Sequence, residues 1–270
     1  MSVKDRKQSG FAAVNGTQLY YEVAGNGDPL VLIHGFSLDR RMWDAQFEVF
    51  ARQYRVVRYD ARGFGKSAVP DGAPYVHADD LKALLGHLQI ARAHIVGLSM
   101  GGEIATEFAL AYPDSVASLV VVDSALDGYR WSQEWDNAIT PIWTMGRAGD
   151  VAAAKQLWLD HPLFAPAREN PAVGVLLAQM VADYSGWHWL NRNPPREKAT
   201  SALQRLEHIK APTLVVLGER DLPDFHVIAD TLHQRIPNAS KVVIPRVGHM
   251  SPMENPQTFN TVVLDFLASV

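Results

Sequence analysis

The chain reads as an α/β protein: a mostly parallel, twisted sheet with helices on both faces and a helical cap. Two observations carry this. Short apolar, largely β-branched runs recur at 30–33, 55–59, 94–96, 119–122, 213–217 and 241–244, with helix-like stretches between them. The rhythm breaks once, over 126–200, where no comparable run occurs. Parallel neighbours need a crossover connection, and a helix between successive runs supplies it.

Taken in order, the chain opens with two strands at 11–14 and 18–24, separated by Asn15-Gly16, a dipeptide suited to the positive φ angles of a tight hairpin. The run 30–33 ends in His34-Gly35-Phe36. His34 is expected to brace that loop. The run 55–59 leads into Asp60-Ala61-Arg62-Gly63-Phe64-Gly65-Lys66-Ser67, whose paired glycines resemble part of a dinucleotide-binding loop. The third glycine and a suitable acidic ribose-binding residue are missing, so a structural turn is expected.

The next run is followed by Gly97-Leu98-Ser99-Met100-Gly101, and Glu103 to Tyr112 then shows helical spacing of Ile104, Phe108 and Tyr112 before Pro113 ends it. A serine between a strand and a helix must sit on a very tight turn. The flanking glycines let both elements pass without a Cβ clash, and the hydroxyl is pushed out at the sheet's end. Ser99 is therefore the nucleophile candidate.

A serine hydroxyl needs a neutral imidazole to take its proton and a carboxylate to orient that imidazole. The run 213–217 ends in Gly218-Glu219-Arg220-Asp221, and 241–244 leads to Gly248-His249. Asp221 is the preferred acid and His249 the preferred base. Asp123, which ends the run 119–122, is the alternative acid, with Asp224 and Glu219 as weaker contenders. Of the ten histidines, His208, His226 and His233 fall in helix-like segments, while His161 and His188 lie in the middle segment and follow no strand. Acyl transfer also needs donors for a developing oxyanion. The backbone amides of Met100, at a helix start, and Phe36 are expected to supply them.

Segments 1–125 and 201–270 are expected to form the core and 126–200 the cap, returning near Asn193-Pro194-Pro195. The cap holds six of the seven tryptophans: Trp131, Trp135, Trp143, Trp158, Trp187 and Trp189. Trp131, Trp135, Trp143 and Trp187 are assigned to substrate contact, giving an apolar pocket. Arg130, Arg147, Arg168 and Arg192 are candidates for recognising a substrate carboxylate, though most arginines stay solvated.

Composition narrows the class. With 270 residues, 47 % hydrophobic, and a net charge of -4, the chain has no broad attraction for nucleic acid or an anionic membrane. There are no cysteines, so disulfides, thiol nucleophiles and thiolate metal sites are excluded. Neither HExxH nor an HxHxDH cluster occurs, and neither metal nor cofactor is expected. Without an apolar leader or a run long enough to span a bilayer, the cytoplasm is the expected compartment. Oligomeric state is not readable.

These motifs together resemble the α/β-hydrolase fold superfamily: His34-Gly35-Phe36, Asp60-x-Arg62-Gly63-x-Gly65-x-Ser67, Gly97-Leu98-Ser99-Met100-Gly101-Gly102, Gly218-x-x-Asp221 and Gly248-His249. The elbow is similar to that of 3-oxoadipate enol-lactonase-like enzymes and small carboxylesterases. The resemblance implies a serine hydrolase of a small ester or lactone, acting through an acyl-enzyme. A carbon–carbon bond hydrolase of vinylogous diketones, or a non-catalytic small-molecule receptor, are the alternatives on the same scaffold.

Overall fold

The computed structural model describes residues 7–191 and 200–270. Eight strands form one sheet: β1 (Gln8–Val14), β2 (Thr17–Ala24), β3 (Pro29–Ile33), β4 (Arg55–Tyr59), β5 (Ala93–Leu98), β6 (Val116–Val122), β7 (Thr213–Gly218) and β8 (Ala239–Ile244). Their order is β1-β2-β4-β3-β5-β6-β7-β8. β1 and β2 are antiparallel to their neighbours and the remaining pairings are parallel. Helices cover both faces.

Local chemistry explains the elements. Asn15 at φ 46 and Gly16 at φ 69 make the left-handed turn that joins β1 to β2. Every residue of β5 and β7 is buried, as expected for strands covered on both faces, which read as continuous apolar runs. The helix after the elbow begins at Met100, three residues before the apolar spacing that marks it in sequence.

In chain order the helices are α1 (Asp44–Phe50), α2 (His77–His87), α3 (Met100–Ala111), α4 (Gln133–Arg147), α5 (Val151–Asp160), α6 (Ala165–Glu169), α7 (Pro171–Asp183), α8 (Trp187–Leu190), α9 (Pro223–Arg235), α10 (Ser251–Glu254) and α11 (Pro256–Ala268). Five of them, α4 to α8, lie between β6 and β7. The expected return at 193–195, and Arg192, lie outside the described residues. Among the described residues no helix is long and apolar enough to cross a membrane.

The paired-glycine segment is a turn built around Asp60. Its carboxylate accepts from the Arg40 amide at 2.9 Å, the Arg40 guanidinium at 2.9 Å and the Lys66 amide at 2.8 Å. Gly65 packs so close that a Cβ there would lie 2.3 Å from Asp60 Oδ2. That is a reason for glycine that owes nothing to a nucleotide. The turn fixes the β4 end beside the His34 loop, where His34 Nε2 accepts from the Ala61 amide at 2.9 Å. His34 Nδ1 then carries the proton and donates to the Gly35 carbonyl at 2.8 Å. Burial pushes the His34 imidazole below its ordinary value, so it stays neutral and structural.

Candidate active site

Ser99 sits between β5 and α3 at φ 56, ψ -115, a region that non-glycine residues rarely occupy. The glycines two residues away make this turn possible. A Cβ on Gly97 would fall 2.0 Å from the Gly101 carbonyl oxygen, and one on Gly101 would fall 2.3 Å from the Ile33 oxygen. Either would drive the strand and helix apart.

The loop after β8 carries His249, and the loop after β7 carries Asp221. His249 Nδ1 lies 2.8 Å from Asp221 Oδ2, and both side chains are buried. Asp221 is held in turn by the Leu222 amide, which donates to Oδ1 at 2.7 Å. With Nδ1–H directed at the carboxylate, Nε2 is the basic nitrogen. Among the described residues Nε2 has no hydrogen-bond partner, though it is buried. Burial lowers the imidazole to about 4, the nearby Asp123 and Glu254 carboxyls only partly opposing this, so it is neutral at pH 7.

Ser99 and His249 line the same cavity, about 230 Å³ in volume, together with Phe36 and Met100. Neither the Phe36 nor the Met100 amide has a backbone acceptor among the described residues. Trp131, Trp135 and Trp143 line the cavity as well. Trp131 and Trp135 stack with ring centroids 4.3 Å apart, and Phe225 packs edge-on against both.

Trp187 does not line this cavity, contrary to expectation. It opens the one-turn helix α8 and is half-buried, with its ring edge-on to His188 at 5.0 Å. Residues two apart on a helix point to different sides. Trp189 takes the inward position instead, buried against Phe36 and Tyr184. The place in the lining falls to Trp158 of α5, whose indole N–H donates to Ser37 Oγ at 2.6 Å. Leu163, Phe164 and Phe225 also reach the cavity without having been singled out in sequence. Nothing in their spacing marks them, because the surface they face is made by distant parts of the chain.

The other candidates have separate duties. Asp224, in the first turn of α9, accepts from Tyr129 Oη at 2.9 Å, the Ser132 amide at 3.0 Å and Ser132 Oγ at 2.6 Å, anchoring the start of α4. Glu219 accepts from the Arg246 amide at 2.8 Å. His161 is buried, and its Nδ1 accepts from the Leu163 amide at 3.1 Å. His188 is bound between Tyr75 and Tyr184 at 3.0 and 2.8 Å. Arg147 donates to the Trp189 carbonyl at 2.8 Å, Arg168 donates to the carbonyls of Leu159 and His161, and Arg130 is exposed. None of these three arginines lines the cavity.

Asp123, the residue after β6, is fully buried. It accepts from the Gly218 amide and from Ser251 Oγ, both at 2.6 Å. Asp221, not Asp123, meets the imidazole.

A serine on a strained turn and a neutral imidazole line one apolar cavity together with Phe36 and Met100, whose amides have no backbone acceptor among the described residues, a set of groups chemically suited to nucleophilic acyl transfer. A model of the α/β hydrolase fold matches residues 28–256. The chain is 31% identical to a 2-hydroxy-6-oxononadienedioate/2-hydroxy-6-oxononatrienedioate hydrolase from Paraburkholderia xenovorans, covering 93% of this chain and 91% of that protein. Among solved structures it resembles an enol-lactonase from Burkholderia xenovorans, with TM-score 0.83, 28% identity, and coverage of 96% of this chain and 100% of the other. It also resembles a thermophilic esterase from Thermogutta terrifontis, with TM-score 0.80, 28% identity, and coverage of 97% and 98%. The match over most of the chain, added to the sheet order and the serine elbow, makes this protein a member of the α/β-hydrolase fold family.

Proposed function

We propose that the protein is a serine hydrolase that cleaves a small carboxylic ester or lactone through an acyl-enzyme, with Ser99, His249 and Asp221 as its triad. The observation that carries this reading is that His249, whose buried Nε2 has no hydrogen-bond partner among the described residues, lines the same cavity as Ser99, one whose walls are mostly aromatic and aliphatic. Segment 126–200 acts as the cap that supplies most of the aromatic wall.

In this mechanism the substrate carbonyl oxygen sits between the amides of Phe36 and Met100. Ser99 Oγ attacks the carbonyl carbon while His249 Nε2 removes its proton, and the tetrahedral oxyanion is held by the two N–H groups. His249 then gives that proton to the leaving alkoxide as the C–O bond breaks. Water enters, loses a proton to Nε2 and attacks the acyl carbon, and the acid and free Ser99 are released. Asp221 keeps Nδ1 protonated and stabilises the imidazolium. The aromatic wall suits an apolar acyl or alkoxy group.

The test is turnover of a p-nitrophenyl ester of a short apolar acid, alongside labelling by an organophosphonate read by mass spectrometry. Ser99→Ala and His249→Ala are expected to lower kcat by about 10⁴-fold or more, with phosphonate mass gained only on Ser99. Near-native rates in either variant would sink the assignment. Turnover of a vinylogous diketone with none of any ester would move the reaction to carbon–carbon cleavage; 2-hydroxy-6-oxononadienedioate, named for the Paraburkholderia relative, is a substrate to include.

A further inference from the structure

Of the two amides assigned to the oxyanion, that of Met100 opens α3 and is fixed by the elbow itself. That of Phe36 sits in a turn. Leu38 donates its amide to the Gly35 carbonyl at 3.3 Å, and Ser37, inside that turn, is held at φ 62. Glycine suits this region of the backbone map and serine does not, so the turn keeps its shape only where its neighbours hold it.

Those neighbours grip the Phe36 ring. Among the described residues six rings pack against it, edge-on or tilted, with centroids 5.6–6.0 Å away: Phe64, Trp143, Trp158, Tyr184, His188 and Trp189. Of these, only Phe64 lies outside the stretch between β6 and β7. Edge-to-face contacts fix the tilt of a ring as well as its position. The box is itself braced. Gly146 of α4 approaches so closely that a Cβ there would lie 2.4 Å from Trp189 Cβ, and Arg147 donates to the Trp189 carbonyl at 2.8 Å. His188 stacks on Phe64 with centroids 4.6 Å apart and is tied to Tyr75 and Tyr184. A ring enclosed in this way holds its own Cα, and with it the peptide plane that carries the Phe36 N–H.

We propose that the Phe36 ring is the handle by which helices α4 to α8 set the oxyanion amide, so that Tyr184 and Trp189, neither of which lines the cavity, are positioning residues for the reaction. The inference rests on the oxyanion role given to Phe36 above. The stretch between β6 and β7 then does more than wall the cavity. The pair of anion-binding amides is complete only while those helices are seated, because hydrogen bonds weaken steeply as their donors turn away. A segment that merely covers the cavity would leave the Phe36 amide where the core places it.

Labelling with ¹⁵N-phenylalanine gives an amide signal for each of the ten phenylalanines, and the one lost in Phe36→Leu identifies that residue. Trp189→Leu is expected to shift or broaden the Phe36 signal while those of Phe108 on α3 and Phe259 on α11 stay in place. Tyr184→Leu is expected to do the same and decides the matter if Trp189→Leu fails to fold. This readout needs no turnover, so it stands or falls separately from the hydrolase reading. Kinetics with the p-nitrophenyl ester supply a second. Both variants are expected to lower kcat about 10-fold while KM changes by less than about threefold, since the displaced donor acts in the transition state. An unmoved Phe36 signal, or a loss that falls on KM alone, overturns the proposal.

Discussion

Trp158 of α5 donates its indole N–H to the hydroxyl oxygen of Ser37, 2.6 Å away, next to the amide of Phe36. Ser37 is itself held at φ 62. The bond therefore links the helical segment to a strained turn beside Ser99. Trp158→Phe keeps most of the ring's packing and removes the donor. It is expected to cost about 1 kcal/mol of stability for the lost buried hydrogen bond. It should also lower kcat for the p-nitrophenyl ester several-fold with a smaller change in KM, since in the proposed mechanism the disturbed amide is an oxyanion donor. Denaturant unfolding and steady-state kinetics check both effects.

The pH profile follows from the neutral state of His249. Its imidazole is lowered to about 4 by burial, and in the proposed triad only the uncharged ring can accept the Ser99 proton. Activity is thus present above that value and lost as pH falls through it. The ratio kcat/KM is expected to stay flat from neutrality down to about pH 5 and to fall below, because a general base works in its deprotonated form. A profile falling already near pH 6.5 would show an imidazole with its ordinary affinity for protons. The measurement is best made at the isosbestic wavelength of p-nitrophenol.

A second titration concerns the fold. Burial alone would raise the Glu22 carboxyl, but the charge of Arg58 and hydrogen bonds from Arg58 and Arg40 outweigh it, lowering the group from 4.5 to about 2. A depressed folded value stabilises above the unfolded value and is lost as pH drops from about 4.5 toward 2. Glu22→Gln is expected to destabilise by about 3 kcal/mol at pH 7, at about 1.4 kcal/mol per pKa unit, and to flatten the loss of stability over that acid window. Urea unfolding at pH 7 and at pH 3 separates the two effects: the variant and wild type should differ less at the lower pH.

Asp224 offers a cleaner handle on the helical segment. Asp224→Ala removes the acceptor for Tyr129 Oη, the Ser132 amide and Ser132 Oγ together. Leaving such donors unpaired is expected to cost about 2–4 kcal/mol. Because the loss falls at the start of α4, limited proteolysis should cut first within 126–200, and KM should rise more than kcat falls. Cleavage beginning elsewhere would place the weak point outside this anchor.

Much of the sheet could be read before any coordinates. Runs such as Leu30-Val31-Leu32-Ile33 and Thr213-Leu214-Val215-Val216-Leu217 are apolar without alternation because both faces are covered, and their ends placed Ser99, Asp221 and His249 on loops at one edge. The start of α3 was less visible. Gly101-Gly102 has low helix propensity, and the residues are there to let the helix pass β3 and Ser124 closely. Trp187 was misplaced for a different reason. Four residues of α8 are too few to show a period, so the choice between Trp187 and Trp189 depended on a partner surface that only tertiary packing creates.

The stacked indoles of Trp131 and Trp135 give the molecule an optical reporter of its own. Indoles with ring planes 21° apart at that spacing couple their transitions, so a guest held between the wall and Ser99 would alter both the emission intensity and the circular-dichroism couplet. Occupancy could then be followed during a single acylation event, with no dye attached.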